Sequence, residues 1–215
     1  MRRYLPFKEL CGALFGIFFL AFSQGAMAQA VCPPLESRFG NRDYLHPDNQ
    51  RYVRTVENAH FNDNVRQLKG GARPSGSLVG DLQYTLNWFP NHHAALDTLV
   101  RLAVRERTPT PNGAVAIDCR FEYARRINPR DGMVDVIHAQ YRQQIGDARK
   151  AKELLERAVS VEPNNANLRY NAGLTYYRLR DFENARENAK IAYALGFPLP
   201  GLRNMLSRSG YPLDN

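Results

Sequence analysis

The sequence predicts an all-α protein: an array of about three helical hairpins, preceded by an irregular N-terminal strap and closed by a short C-terminal capping helix. Three observations predict it. Pro129 and Pro163 are separated by a span that suits one helix-turn-helix unit, about 34 residues. Between them lie two helical stretches parted at Gly146-Asp147, where Gly suits a helix end and Asp the start of the next helix. Small residues keep step with the prolines: Ala139, Ala151 and Ala158 recur one such span later as Gly173, Ala185 and Ala192, and small side chains at such places let paired helices approach closely.

Residues 1–30 are expected to be a secretory signal. Arg2, Arg3 and Lys8 make a positive start, Gly12 to Phe22 is almost wholly apolar, and Ala28-Gln29-Ala30 offers the small residues a signal peptidase accepts. The apolar run falls short of the roughly 20 residues a spanning helix needs, so cleavage after Ala30 is expected, with Ala28 as the second choice, a membrane contact only through the transient signal, and an uncleaved N-terminal anchor as the alternative. Residues 31–76 form an N-terminal segment. Its first part, to about Gln50, is rich in Pro, Gly, Asn and Asp and is expected to be irregular, with Phe39 and Tyr44 as anchors. Between Arg51 and Leu68 the apolar positions Tyr52, Val53, Val56 and then Phe61, Val65, Leu68 indicate two short helices, with Asn62 or Asp63 as the cap between them. Gly70 to Gly76 is a predicted flexible loop and a site for proteolysis.

The helical array is expected over residues 77–196. Leu78, Leu82, Leu86 and Phe89 share one helical face before Pro90, and Leu96, Leu99, Val100, Ala103 and Val104 share another. Pro109, Pro111 and Gly113 mark a linker, after which a helix runs from about Ala114 to Ile127. Pro90 and Pro129 stand further apart than Pro129 and Pro163, the longer spacing reflecting that linker. Over residues 197–215, Leu202, Met205 and Leu206 can cover the open end of the stack, as helical arrays require.

Removal of residues 1–30 takes away Arg2, Arg3, Lys8 and Glu9, so the formal net charge falls from +8 to +6. The basic residues have acidic neighbours on the same helices, and no nucleic-acid-reading motif is present. Cys11 lies in the signal, leaving Cys32 and Cys119; two lone cysteines in an oxidising compartment predict one disulfide. A lipid anchor on Cys32 is disfavoured because Val31 and Gln29 stand where a small and an aliphatic residue are wanted.

The helix-turn-helix period, with small residues at matched offsets, resembles the tetratricopeptide repeat. The resemblance covers residues 131–196 and, with the longer linker, 78–129. Glu57, His60 and Phe61, the stretch Asp81 to Leu86, Phe89 to Leu96 and the Gly196 to Gly201 turn further resemble exported bacterial tetratricopeptide proteins of uncharacterised function. The resemblance implies a scaffold whose first helices line a groove for an extended peptide or helix of a partner protein, in envelope assembly or secretion. The groove residues expected on this basis are Val136, Gln140, Gln143 and Gln144 in one hairpin, and Asn167, Tyr170, Leu174, Tyr177 and Arg178 in the next.

A second expectation is a ligand pocket or acid-base site around His60, Asp81, His92 and His93, closed by the N-terminal segment. Adjacent imidazoles diverge on a helix, whereas paired metal ligands want i,i+3 or i,i+4 spacing, so helix-start capping is the expectation for His92-His93 and no metal is expected. There is no Gly-flanked serine, no phosphate-cradling loop and no His-Glu-x-x-His segment. The sequence therefore predicts a binding protein without catalytic residues or cofactor, and no nucleic-acid partner. Two further possibilities stand beside these: residues 31–60 could lie in the groove from within, and the C-terminal helix could mediate self-association.

Overall fold

The computed structural model describes residues 32–35 and 37–214; the expected signal over residues 1–30 and its cleavage site lie outside the described residues. Every regular element among them is helical. A strap containing two short 3-10 turns leads into α1 (Gln50–His60) and α2 (Asp63–Arg66), followed by α3 (Leu78–Trp88), α4 (His93–Glu106), α5 (Ile117–Ile127), α6 (Gly132–Gln144), α7 (Ala148–Val161), α8 (Ala166–Arg178), α9 (Phe182–Ala194) and α10 (Gly201–Arg208). None of these helices is long and apolar enough to cross a membrane.

The period of the sequence is realised in the backbone. Helix α6 begins at Gly132 and ends at Gln144, and α8 begins at Ala166 and ends at Arg178, so both ends are displaced by the Pro129–Pro163 offset. Asp147 and Asp181, related by the same offset, cap α7 and α9 by accepting the amides of Lys150 and Asn184, which satisfies amide groups the first turn leaves unpaired. Helices α6 and α7 pair, as do α8 and α9, and α4, α6 and α8 pack in succession, with α5 against α4 and α6. The small residues sit where their spacing places them. Ala139, Ala151, Ala158, Gly173, Ala185 and Ala192 are all buried. A Cβ on Gly132 would stand 2.9 Å from the carbonyl oxygen of Ala158 and 2.6 Å from Leu168 Cδ1, so α6 and α7 touch backbone to backbone there.

Two apolar clusters form the core of the array. Leu82, Leu86, Leu96, Leu99, Ile117 and Phe121 belong to the first, and Leu155, Leu168, Tyr176, Leu202 and Leu206 to the second. Helix α6 serves both, giving Val134 and Ile137 to one and Val136 and Ala139 to the other. Between α7 and α8, Glu162 accepts the amide of Gly132 through Oε1 (2.7 Å) and the Asn165 side chain through Oε2 (2.7 Å). At the C-terminal end, α10 packs on α8 and α9, with Leu202 and Leu206 fully buried and Met205 half-buried.

The strap is irregular, as its composition predicts, and fastened. Cys32 and Cys119 form a disulfide spanning 87 residues, with their Cα atoms 5.4 Å apart. The Tyr123 hydroxyl donates to the Pro33 carbonyl, Phe39 packs edge-on against Tyr84 and Trp88, and the Arg42 amide donates to the Trp88 carbonyl at 2.8 Å. The 70–76 segment is a loop, but it is pinned: Ala72 donates to Asp81 Oδ2 at 2.7 Å and its carbonyl accepts from Asn62 at 2.9 Å. Asn62 also caps α2.

Candidate functional site

Because α4, α6 and α8 lie side by side, their outer faces form one surface, and a groove of about 500 Å³ runs along it. Gln140, Gln143 and Gln144 from α6 line it, with Leu174 and Arg178 from α8. These are five of the nine residues expected from the sequence. The structure adds Asp97 and Arg101 from α4 and Asn171 from α8.

The remaining four expected residues take no part in this lining. Val136 is fully buried in the core. Tyr170 is buried and stacks on Phe197, ring centroids 4.0 Å apart. Tyr177 packs on Phe182 and shares a 2.7 Å hydrogen bond with Ser209, turning it toward the C-terminal end. Asn167 is exposed at the start of α8, where its carbonyl and side-chain oxygen both accept from Asn171. The cause is geometric for the two core residues. Val136 and Tyr170 are separated by one repeat and occupy the same place in successive hairpins, near the helix starts, where neighbouring elements close over them.

The groove is polar and largely amide-lined. Asp97 and Arg101 form an i,i+4 ion pair at 2.9 Å, and the Arg101 guanidinium also donates to the Arg66 carbonyl at 2.8 Å. Gln144 donates to the Gln140 carbonyl at 3.2 Å. Arg178 is exposed, and its side chain makes no hydrogen bond or ion pair with the described residues. Gln and Asn side chains each offer donors and an acceptor, so this wall can pair with the amides and carbonyls of an extended backbone, and Arg178 can meet a carboxylate. No known protein family and no curated protein matches the chain.

The four residues of the expected acid-base pocket are dispersed into separate pairs. His60 Nδ1 meets Asp81 Oδ1 at 2.6 Å. His92 is wholly buried and is the N-cap of α4: its Nδ1 accepts the Ala95 amide at 3.2 Å, so Nε2 carries the proton and donates to Glu57 at 3.0 Å. Burial lowers the pKa of His92, while the hydrogen bond from that imidazole lowers that of Glu57. His93 Nε2 contacts both oxygens of buried Asp131, at 2.8 and 2.9 Å. Tyr44 packs over both imidazoles. Among the described residues, no group of three or more His, Cys, Asp or Glu could hold a metal ion.

A polar knot joins the strap to the array at the same place. The Asn91 side chain, fully buried, donates to Asp43 at 2.8 Å and to Asp131 at 2.9 Å while accepting the Tyr44 amide at 2.8 Å. Asn128 donates to the second oxygen of Asp43 at 3.0 Å. These contacts, with those of Cys32, Pro33, Phe39 and Arg42, hold the strap on α3, α5 and the starts of α4 and α6. None of the groove residues is among its partners here.

Proposed function

We propose that the protein is an exported scaffold of the tetratricopeptide type that holds an extended segment of a partner protein across α4, α6 and α8. The observation that carries this reading is the amide-lined groove on three successive helices. The period realised in the backbone supports the repeat identity, and the signal-like start together with the Cys32–Cys119 disulfide supports an oxidising, extracytoplasmic setting. The wall suits a polar, extended segment whose backbone is read by Gln140, Gln143, Gln144 and Asn171, with an acidic group toward Arg178. A short groove of this kind gives a modest interface governed by a few contacts.

The test places a photo-crosslinking residue at Gln143 of the mature protein in envelope extract. One discrete protein, attached through a defined peptide and lost in Arg178→Glu, supports the scaffold. Crosslinks that Arg178→Glu and Gln140→Arg leave unchanged overturn it.

A further inference from the structure

A second cavity, of about 640 Å³, lies beyond the groove, and Gln144 borders both. It exists because one connection in the array is long. The α6–α7 and α8–α9 links are 145–147 and 179–181, whereas α4 and α5 are joined by residues 107–116. This longer link is anchored by buried Pro111 and Ala114, and before them it supplies Thr108 and Pro109 as a wall, opposite Ala103 and Val104 of α4 and Tyr141 and Ile145 at the end of α6. The volume is within the roughly 300–1,000 Å³ of small-molecule sites. Ile145 is 48 % exposed, a large aliphatic surface left to solvent at this cavity.

The polar groups around it decide what could enter. The helix ends are already satisfied: the Ala103 carbonyl accepts from Thr108, that of Val104 from Arg107, that of Tyr141 from Ile145 and that of Arg142 from Asp147. Asp118 is paired with Arg142 and with His138, and its carboxyl is held down at about 2, chiefly by the His138 hydrogen bond. It stays ionised and its charge is matched. Arg107 remains: exposed, and without an ion pair among the described residues. Its backbone holds a left-handed conformation at φ 54°, which a side-chain-bearing residue adopts at a cost.

We propose that this cavity binds a single-tailed anionic amphiphile, of which a medium-chain carboxylate is the simplest, with the tail against Ala103, Val104, Pro109 and Ile145 and the head toward Arg107. The site goes beyond the peptide groove and does not depend on it. Tail burial supplies the affinity, and the unmatched guanidinium selects the sign of the head group.

Calorimetric titration of the mature protein with decanoate, below its micelle concentration, tests the assignment, with decyltrimethylammonium and butyrate as controls. Decanoate is expected to bind at least tenfold more tightly than either. Val104→Trp, which fills the cavity, should weaken decanoate at least tenfold, and Arg107→Glu should reverse the preference between the anionic and cationic heads while Arg107→Lys retains it. Equal binding of both heads, an unchanged preference in Arg107→Glu, or no decanoate binding overturns the assignment. Arg107 is exposed, so its variants keep the test decisive even if Val104→Trp folds poorly.

Discussion

The imidazole of His138 lies flat on the ring of Phe121, centroids 4.2 Å apart and planes 4° from parallel. The stack fixes the direction of both ring nitrogens. Arg125 donates to Nδ1 at 3.3 Å, and Nε2 lies 3.3 Å from Arg142 Nε and 3.0 Å from Asp118 Oδ1, so the carboxylate acceptor places the proton on Nε2. Burial lowers the His138 pKa to about 4. An unfolded chain takes up this proton near the ordinary histidine value of about 6.5, so between roughly pH 6.5 and 4 it binds more protons than the folded one. Folding stability is therefore expected to fall as pH drops through that window. His138→Gln should remove about 2–4 kcal/mol of this pH dependence, read from urea midpoints at pH 7 and 4.5. Asp118 acts later: its stabilisation is full above the ordinary carboxylate range and is lost toward about pH 2.

Gly173 is the one glycine among the matched small residues, and the capping helix explains it. A Cβ there would stand 2.6 Å from Leu202 Cδ2. Gly173→Ala is expected to cost about 1–3 kcal/mol by overpacking. Combined with Leu202→Ala it should cost less than the two single changes together, a coupling that denaturant titration of the three variants measures.

Asn91 joins Asp43, Tyr44 and Asp131 from a fully buried position. Asn91→Ala leaves those groups without their partner, at an expected cost of about 2–4 kcal/mol. The strap should then be cut by protease faster than in the wild type. Unchanged cleavage kinetics would mean that the aromatic contacts and the disulfide hold the strap unaided.

Thermal denaturation is expected to separate core from groove. Tyr170→Ala removes a buried ring stacked on Phe197 and is expected to destabilise by about 3–5 kcal/mol. Gln143→Ala and Arg178→Ala touch only the groove surface and should change stability by less than about 0.5 kcal/mol. If Gln143→Ala lowered the melting temperature as far as Tyr170→Ala, the outward placement of that face would be wrong.

Alkylation of the folded protein should find Cys32 and Cys119 unreactive until a reductant is added. Replacing both by Ser is expected to cost about 2–5 kcal/mol, measured by denaturant titration.

The paired helices were legible because their signals are local: prolines, Gly-Asp breaks and small residues recur at a fixed offset. The groove was legible in part. Applying the Pro90–Pro129 offset backwards from Gln140 leads to Arg101, and from Val136 to Asp97, both lining residues. Asn171 was within reach by helical spacing, one turn before Leu174 and two before Arg178. What linear spacing does not carry is depth. Val136 and Tyr170 share the outer helical stripe with Gln140 and Leu174 but lie nearer the helix starts, where other elements cover them. The dispersal of the histidines was equally hidden, because Glu57 and Asp131, which bind His92 and His93, are contributed by sequence-distant segments.

The Cys32–Cys119 bridge also decides how the molecule would bear a pull. Tension entering near residue 32 and leaving near residue 214 passes across the bond from Cys32 to Cys119, and the 87-residue span between them carries no load. About 300 Å of chain length is thereby withheld from extension. Helix α4, one wall of the groove, lies inside the shielded span, while α6 and α8 lie in the loaded part. A tug on the oxidised protein would draw those two walls away from the third, while α4 and the rest of the bridged span stayed unloaded for as long as the bond held.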